Sequence, residues 1–471
     1  MAEGNKAKGI VKPERPGGFL DFLPADYLAR ERIFGIIAKV FRSYGYDPIE
    51  TPMVEFAKSL VGEDETSKNI FYISNKNKNM TQEGQLGLRF DHTVPFARLL
   101  AANPYNADTK EGIKLPWRRM VVGPVFRGES PQKGRYRQFY QFDVDIVGVS
   151  SMMADAEIVA IIYETLTALG LDDFVIKINN RKLLNGLAEL LDVHDRAEVN
   201  RDDITKAIFR ILDKLDKIGL DQVLFELTQE PDSIFDPAPN LSSEAGEKIK
   251  SFINIDGDNY EKLIKAKTVF AGLSIAEDGI KELEQILGFT ADLGVPSDKV
   301  LVDFGVARGL DYYTGPVMET SLLTAPEFGS VFSGGRYNNL MERFTGQELP
   351  AVGASIGVDR LFAALRQLGL LDVSRATITD VLVMRIADNL DSEYLEIAKI
   401  IRRCGLNTEV SMLEDRTFKA QFNFALGRGV KYAIIYGENE SIKRTIQIKN
   451  LSTRKQTEIN FSDLEIYFNN I

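Results

Sequence analysis

The chain has 471 residues, 44% hydrophobic and 27% charged, a composition that suits a folded protein with roughly two or three separate cores. Its single cysteine, Cys404, excludes intrachain disulfides and multi-cysteine zinc sites, and only His92 and His194 are available to a histidine-based metal site or triad. The net charge of −11, taken alone, argues against a nucleic-acid partner, although residues 376–471 carry equal numbers of acidic and basic side chains.

Residues 1–16 are polar and weakly basic and read as a disordered tail, without the apolar stretch of a secretory signal. Together with the reducing environment that one cysteine suits, this points to a cytoplasmic protein. No apolar run approaches the roughly 18 residues of a membrane span. A helix is expected from about Ala25 to Tyr44, where Ile33, Ile37, Val40, Phe41 and Tyr44 fall at helical spacing and Gly45 suits the stop. An extended segment follows through Pro48–Pro52. From Phe71 to Val149 the pattern reads as strand, with turns at Asn75–Gln85 and Gly128–Gly134. Within it, alternation along 135–146 puts Tyr136, Gln138, Tyr140, Phe142, Val144 and Ile146 on a core face. Arg135, Arg137, Phe139, Gln141, Asp143 and Asp145 fall on the other face. Cations at one end of that row and carboxylates at the other suit a ligand with phosphates and an amine.

From about Lys182 to Ser297 the chain becomes charged and helical, with segments such as Ile204–Ile218 and Ile275–Leu287. Strand signals return at Val300–Phe304, Val317–Leu322 and Ala351–Ile356. The last leads into a helix whose apolar face is Val358, Leu361, Phe362 and Leu365. After a break near Asp372–Thr379, strands and helices alternate to the end, which predicts a small α/β domain with a largely parallel sheet. The expected organisation is one α/β domain from 17–181 and 298–371, a mostly helical insertion at 182–297, and a C-terminal domain at 376–471.

Neither a Walker loop nor a Gly-x-Gly-x-x-Gly turn is present, so a bound nucleotide would be held mainly by arginines and metal. Four arginines fall at expected sheet edges, three of them beside glycines: Arg127, Arg308, Arg336 and Arg360. The step Phe126-Arg127-x-Glu129, a loop, then Arg135-x-x-x-Phe139 resembles motif 2 of the class II aminoacyl-tRNA synthetases. The run Gly353–Leu361 resembles their motif 3, and the helix ending near Tyr44 with the segment through Pro52 is similar to motif 1. Arg308–Gly315 and Ser333–Tyr337 resemble the two signature peptides of the histidyl-tRNA synthetases, and Arg89–Arg98 also matches that family. The likeness runs from about Gly17 to Phe461.

The resemblance implies an antiparallel catalytic sheet flanked by helices, a helical insertion and an anticodon-binding α/β domain. It implies ATP and Mg²⁺ without a dedicated protein cage for the metal, L-histidine and tRNA(His) as partners, a homodimer, and ligation through a histidyl-adenylate. It places Arg127 on the α-phosphate, Glu129 on the adenine amine, and Phe139 and Arg360 on either face of the base. The histidine pocket would be Asp91, Thr93, Gln141, Asp145, Tyr312 and Tyr313, and Arg308 the main catalytic cation. Gln132 and Lys133, at the tip of the motif 2 loop, would approach the acceptor end of the tRNA. His92, between Asp91 and Thr93, departs from the family pattern and is expected to point into the core. Asn338 and Asp359 are further departures. The alternative is a non-catalytic relative akin to the regulatory subunit of ATP phosphoribosyltransferase. Such relatives generally lack the last domain and degrade the Arg308 signature, and this chain keeps both. An RNA-binding sensor with lost catalysis would show erosion of Arg127, Arg308 or Arg360, and all three persist.

Overall fold

The computed structural model describes residues 11–61, 69–74, 84–132, 134–191, 193–196, 198–307 and 313–471, with only the backbone at 216 and 217. Two compact units emerge, one of residues 1–20 and 35–370, the other of residues 21–34 and 371–471.

The strands in chain order are β1 (Asp47–Pro48), β2 (Val54–Phe56), β3 (Tyr72–Ile73), β4 (Leu86–Leu88), β5 (Trp117–Phe126), β6 (Gln138–Val147), β7 (Phe174–Asn180), β8 (Val300–Val302), β9 (Pro316–Leu322), β10 (Ser330–Arg336) and β11 (Ala351–Gly357). Eight of them form one sheet in the order β1-β5-β6-β11-β10-β9-β7-β8, while β2-β4-β3 form a small separate sheet. The six central strands are antiparallel to their neighbours, and only the two edge pairs, β1–β5 and β7–β8, are parallel. Helices back this sheet. Ile37 and Phe41 of the helix Pro24–Ser43 are fully buried, and the Phe41 ring meets Phe142 of β6 edge-on at 5.0 Å. The helix Met153–Ala168 buries Ile158, Val159, Ile161, Ile162 and Leu166. Between β7 and β8 the regular elements are helices, from Arg181 to Asp292, closed by one short 3-10 turn.

Two expectations fail in this unit. Thr93–Ala102 is a helix, not strand. Asp91 Oδ1 accepts the Val94 N–H at 3.1 Å, Pro95 occupies the first turn, and Phe96, Ala97 and Leu100 are buried. A ten-residue, mostly apolar stretch carries little periodicity, so its capping carboxylate and its Ala/Leu content are the better signal. The second failure is Ser330–Arg336, a strand inside the sheet between β9 and β11. Its glycines hid it. A Cβ on Gly334 would lie 2.3 Å from the Gly353 carbonyl oxygen, so the close approach of β10 and β11 requires glycine there.

In the second unit, β12 (Val381–Val383), β13 (Thr408–Val410), β14 (Tyr432–Ile435), β15 (Thr445–Asn450) and β16 (Gln456–Asn460) form a sheet in the order β13-β12-β14-β15-β16. The helices Asp391–Arg403 and Leu464–Asn469 pack on it through Tyr394, Ile397, Ile401, Leu464 and Phe468. The sheet is mixed, not largely parallel: β12 runs parallel to β13 and β14, but β14, β15 and β16 alternate. The links from β14 to β15 and from β15 to β16 are shorter than the dozen or so residues a parallel crossover needs.

Candidate active site

Register on the large sheet builds the site. Asp145 of β6 pairs with Arg119 of β5 on one side and Gly353 of β11 on the other. Asp143 pairs with Val121 and Ser355, and Gln141 with Gly123 and Gly357. Cross-strand partners share a face, and the β6 and β11 members of these pairs floor one cavity of about 410 Å³, within the range of small-molecule sites. Asp91, Thr93, Arg127, Glu129, Phe139, Gln141, Asp145, Tyr313 and Arg360 all line it. Phe142, Val144 and Ile146 point away into the core, as alternation along the strand predicts.

One end of the cavity is cationic and aromatic. Arg127 donates its Nε–H to the Phe90 carbonyl at 3.1 Å, and its guanidinium lies 5.3 Å from the Phe139 ring centre. Arg360 donates to the Ser330 carbonyl at 2.6 Å. Its neighbour Asp359 accepts the Tyr140 N–H at 2.8 Å, so the carboxylate at the helix start continues the ladder where β11 ends. Glu129 receives Arg135 at 3.5 Å, and its carbonyl receives the Arg137 Nε–H at 3.0 Å.

The other end is acidic and enclosed. Asp145 is 3% exposed and ion-paired with Arg119 at 2.5 Å, and Arg119 itself has no exposed surface. Phe96 lies beneath that guanidinium at 4.3 Å, and the Tyr337 hydroxyl donates to the second Asp145 oxygen. Burial pushes the Asp145 carboxyl up, against the pull of Arg119 and Tyr337. Burial likewise raises Asp143 to about 7, opposed chiefly by Arg119. A Cβ on Gly353 would sit 2.0 Å from Asp145 Oδ1, so glycine is what leaves room for the carboxylate. On Gly123 a Cβ would lie 2.5 Å from Arg89 Nη2. Arg89 spans the strands beneath by donating to Pro124 O at 2.9 Å and Thr51 O at 2.7 Å.

Arg308, Tyr312 and Lys133 lie outside the described residues. Gln132 is exposed and does not line the main cavity. It closes a turn with Arg135 beside a second hollow formed with Arg15–Leu20. Arg336 is not a cavity residue. It is 4% exposed and clamped to Asp155 and the Val149 carbonyl on the opposite side of the sheet, a structural cation whose strand phase the glycine-rich reading obscured. His92 is core: 1% exposed, its Nε2 3.2 Å from the Gly123 carbonyl, its pKa lowered by burial to about 3.

The comparisons decide the family. The model of the histidyl-tRNA synthetases matches residues 18–361, and that of an anticodon-binding domain matches residues 380–471. A histidine–tRNA ligase of Clostridium tetani is 37% identical over 97% of this chain and 98% of its own length. This chain belongs to the histidyl-tRNA synthetase family. The crystal structure of the histidyl-tRNA synthetase from Nostoc sp. PCC 7120 superposes with a TM-score of 0.80 at 32% identity, covering 98% of this chain and all of that one. An ATP phosphoribosyltransferase regulatory subunit/histidyl-tRNA synthetase from Bacillus halodurans matches at TM-score 0.68 and 21% identity over 88% of this chain and 97% of that one, and so shows the fold alone. The site also contains four residues to which the motifs assigned no role: Arg119, Asp143, Tyr337 and Gly353, the last two at the ends of recognised motifs. Asp143 shares the strand phase of Asp145 and was legible in that sense. Arg119 became visible only once the strand register was known, and the role of Tyr337 only once its hydroxyl was placed on Asp145.

Proposed function

We propose that the cavity activates L-histidine with ATP and that the chain then transfers the histidyl group to tRNA(His). The observation that carries this reading is the pairing of two unlike ends in one hollow. Arg127, Phe139 and Arg360 make a nucleotide end, and Asp145, fixed by Arg119 and Tyr337, makes an imidazole-reading end. An imidazole N–H needs an acceptor, and the carboxylate oxygens of Asp145 keep lone pairs beyond those that Arg119 and Tyr337 use; a site built to pair with such an N–H disfavours an amino acid that lacks it by factors on the order of 10⁴. Asp91, Thr93 and Gln141 take the α-amino group, and Tyr312 and Tyr313 complete the ring pocket.

In the first step a histidine carboxylate oxygen attacks the α-phosphorus and pyrophosphate leaves. Mg²⁺ enters as part of the nucleotide substrate and neutralises the outgoing charge. Arg127 and Arg308 stabilise the charge that gathers on the α-phosphate, which grows toward the transition state. Glu129 accepts from the adenine amine while Phe139 and Arg360 hold the base. In the second step a terminal ribose hydroxyl of the tRNA attacks the anhydride carbonyl and AMP leaves. Gln132 and Lys133 meet the acceptor end, and the C-terminal unit meets the anticodon.

The protein works as a cytoplasmic homodimer. The small sheet β2-β4-β3 leaves Val54, Phe56 and Tyr72 exposed beside Met53, an apolar face of the kind a second copy covers. No helix among the described residues is long and apolar enough to cross a membrane.

Purified protein with Mg²⁺ and histidine should catalyse ATP–pyrophosphate exchange without tRNA. No exchange at saturating histidine would overturn the activating role and favour the regulatory alternative.

A further inference from the structure

The amino-acid end of the cavity holds more acceptors than its known partners use. Gln141, Asp143 and Asp145 stand at every second position of β6 on the same face, so neighbouring members lie about 7 Å apart. Asp145 has its cation, Arg119, and its donor, Tyr337. Asp143 is 4% exposed and lines the same cavity, yet among the described residues it makes no ion pair. One of its oxygens receives the Ser355 hydroxyl, and the other takes no hydrogen bond among the described residues. The neighbouring Gln141 Oε1 is buried and also without a hydrogen bond there. Asp91 reaches the cavity with one oxygen on the Val94 N–H. A carboxylate with one oxygen open to the cavity, next to a buried amide oxygen without a hydrogen bond, suits a ligand that brings a cation and donors.

We infer that Asp143 is a further specificity residue, receiving the substrate's α-ammonium group together with Asp91, Thr93 and Gln141. An ammonium group carries three N–H donors and a positive charge, and Asp143 adds a carboxylate to the acceptors around it. The place is right for it. Asp143 stands one strand position from the carboxylate that reads the ring, and toward the nucleotide end, so an amino acid with its ring at Asp145 brings its amine to Asp143 and its carboxylate toward Arg127. Ser355 holds the carboxylate in that direction. Burial raises the proton affinity of Asp143 despite the pull of Arg119, and a bound ammonium would draw the group back toward its ionised form. This inference rests on the histidine reading of the site and adds to it a second carboxylate, beside Asp91, that faces the amine.

The test uses the full chain, wild type and Asp143→Asn, with three ligands: histidine, histidinol, which keeps the amine and lacks the carboxylate, and imidazole-lactate, which carries a hydroxyl in place of the amine. Histidine is read as KM in exchange, the other two as inhibition constants. Asp143→Asn should weaken histidine and histidinol by on the order of ten- to a hundredfold and leave imidazole-lactate within twofold. Equal weakening of all three, or of none, overturns the inference while leaving the histidine site standing. A wild type that recognises none of the three overturns both. If Asp143→Asn does not fold, Ser355→Ala with the same ligands decides, because releasing the carboxylate should cost the two amines more than imidazole-lactate, and equal losses refute the contact.

Discussion

Replacing Gly353 by alanine tests whether the carboxylate of Asp145 is positioned as the histidine reading requires. The added methyl would lie 2.0 Å from Asp145 Oδ1, 2.5 Å from its Cγ and 2.6 Å from the Val144 carbonyl oxygen. Ordinary contact demands more than 3 Å, so the carboxylate has to give by about 1 Å or β11 has to move off β6. Arg119 and Tyr337 hold the carboxylate in place, so the displacement breaks contacts rather than flexing freely. A 1 Å misplacement of a binding group costs about 10²-fold, or about 2.7 kcal/mol of transition-state stabilisation. In histidine-dependent pyrophosphate exchange, kcat/KM for histidine should therefore fall about a hundredfold. The KM for ATP should stay within about threefold, because Arg127, Phe139 and Arg360 lie at the other end. Overpacking should also cost about 1–3 kcal/mol of stability, read as a lower melting temperature. Gly35→Ala, where the methyl meets nothing within 4 Å, is the control. A Gly353→Ala protein with kcat/KM for histidine within threefold of wild type would refute the placement of Asp145.

Arg308→Ala should lower the turnover of exchange by about 10²–10³-fold with the fold intact by circular dichroism, and near-wild-type turnover would end its catalytic assignment. Asp143, raised from 3.8 to about 7, binds its proton more tightly in the folded chain than in the unfolded one. Its contribution to stability is therefore lost as pH rises from about 4 to 7 and is flat above that. Urea midpoints of wild type minus Asp143→Asn should fall across that window by an amount equivalent to at most ~4 kcal/mol, and parallel pH profiles would contradict the shift. Phe56→Glu on the exposed sheet β2-β4-β3 should convert a dimer to monomers in sedimentation at micromolar concentration, whereas an unchanged dimer would place the interface elsewhere.

Much of the site was legible because it lies on one long strand. Alternation along 135–146 separated Phe139, Gln141, Asp143 and Asp145 from Phe142, Val144 and Ile146 before any coordinates, and the cavity lies on that same face. Motif spacing brought in Asp91, Arg127 and Arg360 from other segments. What stayed hidden depends on register. Arg119 belongs to a Trp-Arg-Arg-Met run that reads as a charged strand start, and only the offset of β5 against β6 puts it opposite Asp145. Arg336 reads as an exposed cation among glycines until β10 is seated inside the sheet, where its side chain turns to Asp155. The helix Thr93–Ala102 was lost because it is short and mostly apolar, with Arg98 as its one charge, and so shows little periodicity. The mixed C-terminal sheet followed from connection lengths that were countable in the sequence but outweighed by the apparent β–α alternation.

The enclosed pair of Arg119 and Asp145 limits how this pocket can drift toward another amino acid. Exchanging Asp145 alone strands a guanidinium that water cannot reach, and exchanging Arg119 alone strands the acid, so either single step passes through a poorly folded intermediate. Both positions have to change in the same event, together with whatever fills the space over Gly353. On the histidine reading proposed above, that coupling makes the choice of amino acid a property of three neighbouring strands and protects it against point mutation.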